Sequence, residues 1–219
     1  MLSEIDSILF SDDCEVVEIP LYNQWVYLIH KNGTSSLQNL QAKYHLNLLK
    51  NDQIRQLDFV DVYIRDARDR YVSGVNTYLQ HLKRDHPELD QPTAFWFAKQ
   101  YKFLNRHYVP QFHWLLNLSR YLSSDTKIRI RDFTDFGVVV EDQDRADIIP
   151  SDDEFRQKLL SNNTGLELWM FLDRILLDLA GAEMTWAEII EHYRSAHTKT
   201  FDLVCQQFNL ISKSVLPQN

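Results

Sequence analysis

Glycine and proline are scarce in this chain, five and six among 219 residues, and neither gathers with serine into a stretch that would divide the chain into separate halves. Without a linker the expectation is a single domain over residues 1–219, and a chain of this length with 44% hydrophobic residues can bury a core without disulfides or a structural metal. Cysteine is scarcer still. Cys14 and Cys205 stand far apart and form no C-x-x-C pair, which argues against a disulfide framework or a zinc cluster and predicts two buried free thiols. The eight histidines show no H-E-x-x-H or equivalent spacing, so no metal is expected. Positive charge is short too: a formal charge of −8 lacks the dominant basic stripe of a general nucleic-acid surface, so any anion site must be local. Long apolar runs are missing. The opening MLSEIDSILFSDD is acidic, and LELWMFLDRILLDLAG is broken by Asp173, Arg174 and Asp178, so neither membrane insertion nor a leader is expected and the cytoplasm is the expected compartment.

What is present reads as alternating strands and helices. WVYLIH at 25–30 is a short aromatic and β-branched run that predicts a buried strand, and Leu37, Leu40, Tyr44 and Leu48 predict a helix over 35–49. The order then repeats, with FVDVYIR at 59–65 as a strand and Val72, Val75, Leu79 and Leu82 as the apolar face of a helix from about Asp69. Two successive β-loop-α units imply an α/β fold, a central parallel sheet flanked by helices. Further on, Thr93 is expected to cap a helix through AFWFAKQYKFL, Pro110 to separate it from QFHWLLNLSRYL, and TKIRIRDF at 126–133 to form a strand, with GVVV at 137–140 its continuation or its neighbour. The C-terminal half is helix-rich, with Gly181 ending one helix and Thr185 capping the next.

Two segments carry chemistry. Between the first strand and first helix lies His30-Lys31-Asn32-Gly33-Thr34-Ser35-Ser36, a cation, a glycine and three hydroxyls at a helix N-terminus. Unpaired amides and the helix dipole favour an anion there, Gly33 admits close backbone approach, and Lys31 adds a full charge. Taken alone, such a loop is equally an ordinary capped turn. It is not a Walker A loop, because the lysine precedes the glycine. The second segment, YIRDARDRYVSG, puts Arg65 at the end of the second strand and Ser73 one to two turns into the following helix. Ligands of open parallel sheets bind beyond the carboxyl ends of strands, where Lys31 and Arg65 would meet one molecule, Arg65 gripping a phosphate and Ser73 donating a hydroxyl.

Together the two segments resemble those of the sulfotransferases that use 3′-phosphoadenosine 5′-phosphosulfate (PAPS), whose first loop reads P-K-x-G-T-[ST]-S and whose second strand leads into R-D-P-x-x-R-x-x-S. Lys31, Gly33, Thr34, Ser36, Arg65, Asp66, Arg70 and Ser73 fall on matching positions with the Arg-to-Ser interval kept, while His30 and Ala67 stand where proline is usual. NRHYVPQFHWL also looks like the H-x-x-P-Q segment of carbohydrate-type members, and EHYRSAHTKTFDLV is loosely similar to their closing segment. The resemblance is sharp over 25–80, moderate over 105–135 and faint beyond. It implies a P-loop-like sulfotransferase domain with PAPS as co-substrate and a small-molecule or carbohydrate acceptor. Lys31, Asn32, Gly33, Thr34, Ser35 and Ser36 would then hold the 5′-phosphosulfate, and Arg65 and Ser73 the 3′-phosphate.

On that reading Lys31 stabilises the leaving oxygen and the acceptor needs a base. His107 leads the candidates, which also include His113, His30, Asp135 and Glu141; a histidine beside Pro110 is as readily a structural one. Asp66 and Asp69 read as helix caps, and Arg68 as either a phosphate ligand or a solvated charge. An aromatic clamp is expected for adenine. Two other readings stay open: a phosphonucleotide-binding protein without transfer, and an atypical small-molecule kinase.

Overall fold

The computed structural model describes residues 14–29, 41–90, 92, 93, 96, 109–136, 153–161 and 166–207. Within these, runs rich in β-branched and aromatic residues form β1 (Val16–Ile19), β2 (Gln24–Tyr27), β3 (Phe59–Ile64) and β4 (Lys127–Asp132), and a two-residue β5 (Glu183–Met184) follows late in the chain. They make one sheet in the order β1-β2-β3-β4-β5. β2, β3 and β4 run parallel, and β1 and β5 lie antiparallel on the two edges, so the expected parallel sheet is the centre of a mixed one. The described helices include α1 (Asn51–Ile54), α2 (Ala67–Asp85), α3 (Gln111–Ser119), α4 (Asp153–Leu160), α5 (Leu166–Asp178) and α6 (Trp186–Gln207). Among them none is long and apolar enough to cross a membrane.

Strand pairing and turn geometry set where the elements begin and end. β1 escaped the sequence reading; it pairs with β2 through a hairpin whose turn ends at Asn23 in the left-handed region (φ 49), a conformation asparagine tolerates. The helix expected over 35–49 stops early: residues 41–44 are helical, His45 turns left-handed (φ 52), and Leu48 forms a β-bridge with Val17. Leu48 therefore belongs to the sheet edge, not to a helical stripe. At Thr93 the cap is a different residue, since the Thr93 N–H donates to the Asp90 carboxylate at 2.7 Å. The C-terminal expectations hold. Gly181 (φ 91) ends the turn after α5 and its N–H donates to the Ile130 carbonyl at 2.8 Å, joining that turn to β4. Thr185 and Glu188 cap α6 reciprocally, the Thr185 N–H donating to the Glu188 carboxylate at 2.7 Å and the Glu188 N–H to the Thr185 hydroxyl at 3.2 Å. Cys14 is a buried free thiol, pushed up to about 12 chiefly by burial. The side chain of Cys205 and residues 137–140 lie outside the described set.

One face of the sheet carries the main core. Val60, Val62 and Ile64 of β3, with Ile128 and Ile130 of β4, pack against Phe112, Leu115 and Leu118 of α3 and against Leu172, Ile175, Ile189 and Tyr193 of α5 and α6. Phe112 is the hub, with ring contacts to Trp186, Tyr193 and Phe201 at 5.0 to 6.1 Å. Burying such a side chain contributes about 1.5–3 kcal/mol. α2 packs with Val72, Val75 and Leu79 on Val109, Leu159, Leu166 and Met170, as the periodicity of its sequence requires.

The opposite face is different in kind. Asp61, 0% exposed in the middle of β3, is opposite Arg129 in the parallel ladder and is paired with Arg129 at 2.5 Å and Arg131 at 3.3 Å. Arg129 also lies 3.5 Å over the Phe59 ring, so its charge is held by a carboxylate and an aromatic face together. A carboxylate this deep persists because two guanidinium groups compensate its desolvation.

Candidate functional site

Parallel pairing of β2 with β3, registered at Val26 and Asp61, carries the two strands to the same edge of the sheet. There β3 runs into Arg65 and then α2, whose N-cap is Asp66: its carboxylate accepts from the N–H groups of Arg68 and Asp69, each at 2.9 Å. The motif's aspartate is thus a cap, because its short side chain reaches exposed first-turn amides. Arg68 is paired with Glu167 of α5 at 3.0 Å on the surface, which favours the solvated-charge alternative for it. Arg65 is half-buried, with its guanidinium 5.7 Å from the Phe133 ring.

The neighbouring parallel strand brings further groups to this edge. β4 ends at Asp132, which caps the short turn Phe133–Asp135 by accepting from the Thr134 N–H at 2.7 Å. Asp135 is exposed on that turn. Phe133 and Phe136 stack at 5.9 Å between ring centroids, and Phe136 meets Tyr63 edge-on at 4.7 Å. An aromatic group therefore adjoins Arg65, although no single aromatic stood out in the sequence.

Beneath Arg65 lies a polar network that the sequence did not disclose. Gln111 (0% exposed) accepts from the Arg65 N–H at 2.8 Å, and its amide nitrogen donates to the Arg65 carbonyl at 2.8 Å and to Asp173 of α5 at 3.1 Å. The other oxygen of Asp173 accepts from the Phe112 N–H at 3.1 Å, at the start of α3. Arg70 (1% exposed) donates to the Val109 carbonyl, tying the first turn of α2 to the segment before α3. Burial lowers Arg70 to about 10, Asp173 opposes that shift and Arg65 adds to it, so the guanidinium stays charged at neutral pH. Asp173 is raised, again chiefly by burial, with Arg70 pulling the other way. The available signals were Gln111 after Pro110 and a carboxylate within an apolar stretch of α5.

The candidate residues separate accordingly. Arg65 and Ser73 belong to one β3–α2 unit, with Ser73 half-buried one turn past Asp69 and Arg70 and its carbonyl accepting from the Thr77 hydroxyl at 3.2 Å. Arg70, which matches the second arginine of the motif, is turned inward as a structural group. His30, Lys31, Asn32, Gly33, Thr34, Ser35, Ser36, His107 and Glu141 lie outside the described residues. His113 does not suit the role of an acceptor base: it is 4% exposed, and burial, with Arg70 nearby, lowers it to about 3.

That burial makes His113 an acid-sensitive element. Its unfolded-state value near 6.5 exceeds the folded one, so the unfolded chain binds the extra proton and stability falls as pH drops from about 6.5 toward 3. By pH 5 the imidazole accounts for a loss of about 2 kcal/mol. Asp173, shifted upward, works in the opposite sense through its own range, so the comparison is with His113→Gln. Denaturant titrations at pH 7 and 5 should show the smaller acid-induced loss in that variant; equal losses would contradict a buried neutral imidazole.

No family model, curated protein or solved structure matches the chain.

Proposed function

We propose that the chain is a sulfotransferase of P-loop-like fold that binds PAPS along the carboxyl edge of β2 and β3 and passes its sulfuryl group to an acceptor hydroxyl or amine. The observation that carries this reading is the parallel adjacency of β2 and β3, with Arg65 leading from β3 into the Asp66-capped start of α2. In such a sheet the segment following β2, HKNGTSS, and the segment following β3, RDARDRYVS, serve one ligand. The Arg65 guanidinium and the Ser73 hydroxyl are then the 3′-phosphate ligands, and Lys31 with Asn32, Gly33, Thr34, Ser35 and Ser36 the 5′-phosphosulfate ligands.

In the reaction the acceptor atom attacks sulfur, the bond from sulfur to the 5′-phosphate oxygen breaks, and the acceptor proton passes to a base. Lys31 neutralises the charge on the departing oxygen, and His107 takes the proton. Asp135 is a second candidate base, because it stands exposed at the end of β4 beside the same edge. Positioning and electrostatics supply most of the rate, as in phosphoryl transfer. The H-x-x-P-Q resemblance favours a carbohydrate hydroxyl as acceptor, and the negative net charge disfavours a heavily sulfated polyanion.

The test is nucleotide selectivity followed by transfer. Calorimetry should find 3′,5′-bisphosphoadenosine bound at least 10-fold more tightly than AMP, since a charge-assisted contact to the extra phosphate contributes about 1.5–3 kcal/mol. Arg65→Ala should abolish that preference. Labelled PAPS with carbohydrate acceptor pools then reads transfer. Equal affinity for the two nucleotides in the wild type would refute the 3′-phosphate site, and bisphosphate binding without transfer to any pool would favour a binding protein.

A further inference from the structure

Arg65 follows the last residue of β3, where the sheet ladder gives out and a strand end would ordinarily be loosely held. Here the side chain of Gln111, 46 residues later, takes the place of a strand neighbour, bonding both the N–H and the carbonyl of Arg65 at 2.8 Å. Its orientation is not interchangeable. The amide nitrogen has two N–H groups, and both are used, one on the Arg65 carbonyl and one on Asp173. A flipped amide would set oxygen against the Arg65 carbonyl and against Asp173, and nitrogen against the Arg65 N–H. Asp173 is fixed in turn by the Phe112 N–H, so the restraint on Arg65 is anchored in α3 and α5.

We propose that Gln111 is the positioning residue for Arg65, its buried carboxamide fixing the Arg65 main chain so that the guanidinium is presented to the 3′-phosphate of the nucleotide. The inference rests on the reading of Arg65 as a 3′-phosphate ligand. Gln111 touches no phosphate itself. It converts a strand end into a rigid mount, and rigid mounting of a charged donor is what separates a specific anion contact from a diffuse surface charge.

Gln111→Met tests this, because methionine has nearly the same length and cannot hydrogen-bond in the same way. Two readouts apply: exchange of the Arg65 amide proton, and the ratio of AMP to 3′,5′-bisphosphoadenosine dissociation constants. In Gln111→Met the Arg65 amide should lose its protection and the ratio should fall about 10-fold. Arg65→Ala should lower the ratio to the same extent, and the double variant should lower it no further. Should Gln111→Met fold too poorly to assay, Gln111→Asn, one methylene shorter, is read identically. A variant at 111 that loses amide protection yet keeps the wild-type ratio, while Arg65→Ala loses it, makes Gln111 merely architectural and overturns the inference. Arg65→Ala with the wild-type ratio refutes the 3′-phosphate reading instead, and the inference falls with it.

Discussion

Lys31→Ala is expected to lower kcat for sulfuryl transfer by roughly 10²- to 10³-fold, about 3–4 kcal/mol in the barrier, while weakening the bisphosphate product complex much less. The asymmetry follows from where charge develops. On the proposed mechanism the oxygen facing Lys31 gains negative charge as the bond to sulfur breaks, so the lysine interacts more strongly with the transition state than with the bound ground state. On the same reading Arg65 faces the 3′-phosphate, which the reaction leaves unchanged. Its loss should raise the dissociation constants of substrate and product together and leave kcat at saturation little altered, because uniform binding does not lower the chemical barrier. Single-turnover rates at saturating PAPS separate the two variants. Equal damage to kcat and to product affinity in both would defeat this division of labour.

The β3–α2 unit was legible because three local signals agree there: the β-branched and aromatic run FVDVYIR, an aspartate placed to cap, and apolar residues at helical spacing through Leu79. The helix over 35–49 ran too long for the opposite reason. Leu48 fits a helical stripe in sequence, but it is drawn into a bridge with Val17, a long-range pairing that no local pattern contains. β1 was missed on the same ground, since VVEI is only four residues and becomes a strand by pairing with β2. The buried polar groups were harder still. Asp61 sits in a strand whose other members are apolar or aromatic, and its partners Arg129 and Arg131 come from a strand nearly 70 residues away. Asp173 reads in sequence as a charge that breaks an apolar run, whereas in the fold it faces inward on α5 and organises the start of α3. Gln111 drew notice for its place in NRHYVPQ; its function as a backbone clamp requires Arg65 and Asp173 to converge on it, and only tertiary structure brings them together.

Asp173→Ala is expected to cost about 3–5 kcal/mol of folding stability, among the largest effects of any single change at this site. Asp173 is 3% exposed and does three things at once: it accepts from Gln111, accepts from the Phe112 N–H, and offsets the charge of Arg70, which is itself 1% exposed. Alanine leaves the Phe112 N–H and one Gln111 N–H without this acceptor and takes a negative charge away from the buried Arg70 guanidinium, and the second cost is the larger because a charge is harder to desolvate than an amide. If so, neutralising the arginine should help. Arg70→Met added to Asp173→Ala should recover part of the loss instead of adding its own, since methionine fills similar volume without charge. Asp173→Asn should fall between wild type and alanine: it keeps an acceptor for the Phe112 N–H but turns an amide donor toward the Gln111 nitrogen. Urea denaturation followed by both fluorescence and circular dichroism supplies the comparison, with the denaturant slope checked for constancy across the series. Strictly additive losses in the Arg70→Met/Asp173→Ala pair would show that the guanidinium does not depend on this carboxylate, and the cost of Asp173→Ala would then lie with Gln111 and the start of α3 alone.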